Sequence, residues 1–381
     1  MKTIVSDKKL GLYIHIPFCV QKCLYCDFCS YTQKNDDIIN SYVNRVCDDI
    51  RAWGEKCGEY KVDTIYFGGG TPTLLPIGAF ARITETLRKS FSVLPSAEVS
   101  CECNPATADL DYFHALRSLG VNRLSIGLQS VHDEELRALG RIHTYSDFLN
   151  TYDSARSAGF DNISADLMYG IPNQSLDSFR KTLETLISLA PEHISAYGLK
   201  IEEGTPFGKM KDSLILPGED TEFEMYMLLT NLLADSGYAK YEISNFSHRG
   251  RESRHNIKYW KGEDYLGLGV SAHSYFDGIR FANSRDVNGY IEGRDITESR
   301  MAIANSEKLS EFIMLRMRLS EGISHSEFKA LFGMDFAQRY NDKLAPYIKN
   351  GFLVSNGENT FFSDKGFFVS NYILSDIIDF D

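Results

Sequence analysis

Between about residues 12 and 198 the chain alternates short β-rich runs with longer segments of helical period, and that alternation leaves few folds open. Residues 12–16, 64–67, 99–102, 123–126, 163–167 and 194–197 read as strands. Residues 38–52, 79–90, 109–119, 147–158 and 176–189 read as the helices between them. Repeated strand-then-helix units build a parallel sheet with its helices outside. Six units are too few for a closed eight-stranded barrel, so the spacing predicts an α/β fold with an incomplete (β/α)6 barrel. Working side chains in such barrels stand at the C-terminal ends of strands.

After residue 198 the pattern changes. Glu202-Glu-Gly-Thr-Pro-Phe207 reads as a turn-rich loop, residues 221–236 as a long helix, and residues 240–285 as a loop-rich region. From residue 306 the expected order is three helices, a hairpin over residues 352–362 and a terminal helix. The expected domains are therefore 1–200, a partial barrel; 201–300, a barrel-closing region; and 301–381, a C-terminal α+β domain.

Cys19, Cys23 and Cys26 follow the first strand, with three and two residues between them. Three thiolates are one short of a closed structural zinc site, whereas a metal that does chemistry keeps a position open. Cysteines are also the usual ligands of iron–sulfur clusters, and three on a cubane leave one iron for a small molecule. A redox pair of Cys23 and Cys26, or a zinc knuckle completed by Cys29, are the alternatives. Gly68-Gly-Gly-Thr-Pro-Thr73 follows the second strand, where missing side chains let backbone approach a ligand; a simple tight turn is the plainer reading.

The Cys-x3-Cys-x2-Cys pattern resembles the radical S-adenosylmethionine (SAM) superfamily. Its flanks, Tyr13-Ile-His-Ile-Pro-Phe-Cys19 and Tyr25-Cys-Asp-Phe28, resemble the coproporphyrinogen dehydrogenase (HemN)-like family and its haem-chaperone branch. The resemblance implies a [4Fe–4S] cluster on Cys19, Cys23 and Cys26, whose open iron chelates the amino and carboxylate groups of SAM. An electron from the reduced cluster then cleaves SAM to a 5′-deoxyadenosyl radical. The resemblance also supports the six-unit barrel and implies that the C-terminal domain is winged-helix-like.

Residue by residue, it implies SAM contacts from Tyr13 beside the sulfonium and from Tyr25. Gly69, Gly70 and Thr71 would offer backbone groups to the aminoacyl part, and Glu102 a carboxylate to the ammonium. Gln129, Arg141 and Asp166 would contact the carboxylate and ribose, and Lys200 would lie beside the adenine. Arginine suits a carboxylate through its planar fork. Cys101 and Cys103 flank Glu102 and alternate to the opposite face, as packing residues. Arg254-His-Asn-Ile-Lys-Tyr-Trp-Lys261 resembles the haem-chaperone signature, in which His255 would ligate haem; His273 is a secondary candidate.

Three features separate this reading from a dehydrogenase that decarboxylates two propionates of coproporphyrinogen III. The dehydrogenase pattern has a fourth cysteine where this chain has Phe28. It carries a long N-terminal extension, and this chain begins close to its cysteines. The His255-Asn-x-x-Tyr-Trp260 motif fits the chaperone branch. Cys29 departs from both patterns and reads as a nearby non-ligand.

A net charge of −12 argues against a nucleic-acid footprint, including for the winged-helix-like domain. No apolar run is long enough to span a bilayer; the nearest, residues 225–234, reads as a buried helix. The first residues meet charge too early for a leader sequence, so a cytoplasmic setting with reduced cysteines is expected. The expected partners are a haem-acceptor protein and an electron donor, with peripheral contact to membrane haem proteins.

Overall fold

The computed structural model describes residues 8–32 and 35–378. Residues 1–7, which carry most of the leader argument, lie outside them. Six parallel strands stand side by side in chain order: β1 (Lys9–Ile16), β2 (Lys61–Gly69), β3 (Ser92–Cys103), β4 (Arg123–Gln129), β5 (Ile163–Tyr169) and β6 (His193–Gly198). The helices α1 (Asp36–Lys56), α2 (Ile77–Ser90), α3 (Leu110–Ser118), α4 (Tyr145–Ser157) and α5 (Leu176–Leu189) fall between them.

Local chemistry sets these boundaries. The Asn35 side chain accepts from the Asp37 amide, and Thr144 and Ser175 each form a reciprocal cap with the residue three positions on. Helix α1 buries Ile39, Tyr42, Val43, Val46, Cys47 and Ile50, a stripe at helical spacing. Strand alternation divides the sheet's faces. Leu10, Leu12, Ile14 and Ile16 of β1 are fully buried in the apolar core, while Tyr13 and His15 line a cavity. Cys101 and Cys103 join the core as expected.

Residues 240–285 are a correction to the loop-rich expectation. After α6 (Glu219–Asp235), short strands β7 (Ala239–Lys240) and β8 (Asn245–Ser247) extend the β6 edge antiparallel. Helix α7 (Arg254–Lys261) follows, then β9 (Tyr265–Leu268) pairs parallel with β1. Strands β10 (His273–Phe276), β11 (Ile279–Asn283) and β12 (Thr297–Ala302) continue that edge antiparallel, making an open sheet of 12 strands. Strands this short carry too little periodicity to announce themselves, and their partners lie far off in sequence. Tyr13 and Asp166 also sit within their strands rather than at the ends. Strand β5 runs on to Tyr169 because Leu167, Met168 and Tyr169 pair with Ala196, Tyr197 and Gly198.

The C-terminal part is winged-helix-like: α8 (Asn305–Arg316), β13 (Ile323–Ser324), α9 (His325–Phe332), α10 (Asn341–Lys349), then the hairpin of β14 (Leu353–Ser355) and β15 (Asn359–Phe362), and α11 (Ser370–Ile377). It is joined to α7, since Arg316 Nη1 donates to the Trp260 carbonyl at 2.8 Å. Among the described residues no helix is long and apolar enough to cross a membrane.

Candidate functional site

A cavity of about 900 Å³ opens inside the curved sheet. Cys19, Cys23 and Cys26 line it, as do Tyr13, Tyr25, Gly69, Gly70, Glu102, Gln129, Arg141, Asp166 and Lys200. Thr71 stands just behind, its Oγ1 3.6 Å from Cys19 Sγ. Residues spread over nearly 190 positions therefore converge on one space, with one exception described below.

The cysteine loop is held at several points. The Leu24 amide donates to the Leu139 carbonyl, Cys26 N to Cys23 O, and Lys22 Nζ to the Phe28 carbonyl. All three thiols are free, and burial pushes those of Cys19 and Cys26 above their ordinary value. Metal binding must therefore expel protons from them. Among the described residues no three such donors gather tightly enough to grip a single ion. Cys29 is buried, its Sγ 3.8 Å from the Tyr31 hydroxyl, and its carbonyl 2.8 Å from His15 Nε2.

The glycine turn locks this loop in place. Gly70 N donates to Ile16 O and Thr71 N to Phe18 O, each at 2.8 Å. A Cβ on Gly70 would lie 2.6 Å from the Phe18 carbonyl. Gly69 adopts a φ of +113°, and a Cβ there would meet the His15 ring at 2.6 Å. Gly69 N donates to Glu102 Oε2 at 3.0 Å, and Tyr66 Oη to Oε1 at 3.0 Å. The N–H groups of the turn are thus used internally, and its carbonyls are the groups suited to a ligand ammonium.

Burial, reinforced by the charge of Asp166, lifts the Glu102 carboxyl to about 7. Burial lifts Asp166 to about 6, against hydrogen bonds from Ser125 Oγ at 2.9 Å and Ser164 Oγ at 3.3 Å. Gln129 holds a left-handed φ of +69° where β4 slips register against β5. Such a conformation costs a non-glycine residue about 1–3 kcal/mol, and here it turns the side chain to accept from Tyr197 Oη at 2.9 Å. Arg141 donates to Asn104 Oδ1 at 2.7 Å and to Tyr25 Oη at 2.9 Å, leaving its buried Nε without a partner. Tyr13 Oη lies 3.1 Å from His15 Nδ1. The exposed Lys200 pairs with Glu202 at 2.6 Å.

His255 is the exception. It is fully buried behind the cavity wall, its Nδ1 2.8 Å from Thr64 Oγ1 and its Nε2 2.8 Å from Tyr259 Oη. Tyr66 stacks on it, and burial, with Lys258 and Arg123 nearby, lowers it to about 3. It is a neutral imidazole with both nitrogens engaged. His273 instead lines the cavity with its side chain exposed and no hydrogen-bond partner among the described residues. Tyr13, Tyr66, Tyr259 and Tyr265 form an aromatic wall to the same cavity.

Sequence reasoning missed Asn104, which ties Arg141 to Thr71, and Arg123, which lines the cavity from the start of β4. Both could have been found by alternation: Arg123, Ser125, Gly127 and Gln129 share one face of the strand, and Asn104 shares that of Glu102.

A model of the radical SAM superfamily matches residues 13–186, and one of the HemN C-terminal domain matches residues 303–369. The chain is 32% identical to the heme chaperone HemW of Haemophilus influenzae over 96% of its own length and 97% of that protein. It is 37% identical to the heme chaperone HemW of Escherichia coli, covering 87% and 88% of the two chains. Coproporphyrinogen III oxidase (HemN) from Escherichia coli, a radical SAM enzyme, shares its fold at a TM-score of 0.86 and 23% identity, over 99% of this chain and 91% of that one.

Proposed function

This chain belongs to the haem chaperone HemW family of the radical SAM superfamily, and from that premise we propose that it binds haem in the barrel cavity and passes it to an acceptor protein. The observation that carries the reading is the convergence of three free cysteines, a ring of polar groups and an aromatic wall on one cavity. The aromatic wall offers ring faces to a macrocycle, and pockets of this size hold cofactors.

Membership implies a [4Fe–4S] cluster and SAM. Cys19, Cys23 and Cys26 would hold the cluster, which when bound would supply one-electron chemistry to SAM. Glu102 and the Gly69 and Gly70 carbonyls receive the SAM ammonium, with Thr71 buttressing Cys19. Arg141 would take the carboxylate and Gln129 and Asp166 the ribose side, with Tyr13 beside the sulfonium and Tyr25 and Lys200 toward the adenine. A reduced thiol set of this kind fits a cytoplasmic setting and an electron-donor partner. Acceptors held in a membrane would be met peripherally.

Haem ligation by His255 requires its bonds to Thr64 and Tyr259 to open, whereas His273 offers a free imidazole in the conformation described. Anaerobic reconstitution followed by haem titration of the His255→Ala and His273→Ala variants tests both. Loss of the axial-ligand spectrum in neither variant would overturn histidine ligation. Vinyl product formed from coproporphyrinogen III would overturn the chaperone reading.

A further inference from the structure

Arg123 is an anomaly in the barrel. It opens β4 and is 2% exposed, yet it lines the cavity through the inner face it shares with Ser125, Gly127 and Gln129. Among the described residues no hydrogen bond or ion pair reaches its guanidinium, and the buried Nε is orphaned. Glu102 and Asp166 feel its charge through space, but neither hydrogen-bonds it. Glu102 is engaged by Tyr66 and Gly69, and Asp166 by Ser125 and Ser164.

Arginine stays charged at any physiological pH, so the protein cannot relieve this burial by losing a proton. A buried guanidinium whose donors meet no acceptor is costly, and here only the through-space pull of two carboxylates offsets it, leaving its fork open to a ligand. The surroundings are built for a polar guest. Ser195, Asn245 and Asn256 line the same cavity, and Asn245 Oδ1 is another buried polar atom without a partner. His193 contributes no charge there: burial, with Arg123 close by, lowers it well below its ordinary value, and Ser164 and Tyr241 occupy its two nitrogens.

The site is set back from Gln129 and Arg141, although its charge still reaches Glu102 and Asp166. Arg123 lies six residues before Gln129 on one strand, about 20 Å along it. Arg141 already serves the mouth of the cavity. Resting on the haem reading above, we propose that Arg123 is the carboxylate subsite for the cargo: a haem propionate enters the barrel, meets the guanidinium fork, and leaves the macrocycle against the tyrosine wall. A planar fork matches a carboxylate with two parallel hydrogen bonds.

The test compares haem with haem dimethyl ester, whose propionates are capped, by absorbance titration of the reconstituted full-length protein. Wild type should prefer free haem by about ten- to a hundred-fold, the range of a charge-assisted hydrogen bond. Arg123→Gln should abolish the preference by weakening haem alone, and Arg123→Lys should restore part of it. SAM affinity should fall far less than haem affinity, by no more than the lost pull of Arg123 on Glu102 and Asp166 explains. The apo Arg123→Gln protein should melt at the same temperature or higher, because an unsatisfied charge has been removed; a clear fall would mark Arg123 as a structural counter-charge and overturn the proposal. Equal weakening of haem and its ester, or loss of SAM binding, would overturn it too. Wild type that binds neither porphyrin would remove the chaperone reading itself, whereas wild-type binding without ester discrimination removes only this subsite.

Discussion

The raised carboxyl of Glu102 makes SAM binding a proton-linked event. Without ligand the group sits at about 7 against an ordinary 4.5, chiefly because it is buried and secondly because Asp166 is close. An ammonium brought beside it favours the ionised form, so binding must drive a proton off. Below the folded-state value this costs about 1.4 kcal/mol for each pH unit. SAM should therefore bind about tenfold more weakly at pH 6 than well above pH 7. Near pH 6 close to one proton should be released per SAM bound, read by calorimetry in buffers of different ionisation enthalpy. Glu102→Gln should bind more weakly at high pH and lose the pH slope. The same shift bears on stability with a definite sign. A carboxyl raised by folding contributes stability that is present below about pH 4.5 and lost as pH rises through about 7. That loss is at most about 3 kcal/mol, and it too should vanish in Glu102→Gln. A flat or falling SAM affinity between pH 6 and 8, or an unchanged slope in the variant, would refute the reasoning.

Other outcomes follow from single contacts. Gly69→Ala should destabilise the apo protein by about 2–4 kcal/mol in urea denaturation, combining backbone strain with displacement of His15 from its bonds to Tyr13 and Cys29. Cys29→Ser should keep the iron content and brown colour of the reconstituted protein, whereas Cys19→Ser, Cys23→Ser and Cys26→Ser should each lose them. Lys258→Met should cost about 3–5 kcal/mol by chemical denaturation, because it leaves the buried Asp63, now 3.0 Å from Lys258 Nζ, without its partner.

The barrel strands were legible because each is long enough to show a buried run and is followed by a helix with its own stripe. The strand-end residues were legible through motif and position together. His255 was not: its segment signals haem, but Thr64 and Tyr66, which help enclose it, lie on a strand about 190 residues earlier. No local pattern reports that distance. The edge strands β7 to β12 were hidden for the same reason, being defined by pairing rather than by period. Arg123 was legible in principle from alternation but reads locally as an ordinary strand start.

The place of β1 also sets a timetable. Its inner neighbour β2 begins at Lys61, but Gly11, Leu12, Tyr13 and Ile14 find their second neighbour only in Tyr265 to Leu268. At about 5–20 residues per second, a ribosome needs roughly 10–50 s to make the intervening chain. Throughout that interval the strand leading into the cysteine loop has one bare edge. The enclosure around that loop is thus completed only near the end of synthesis.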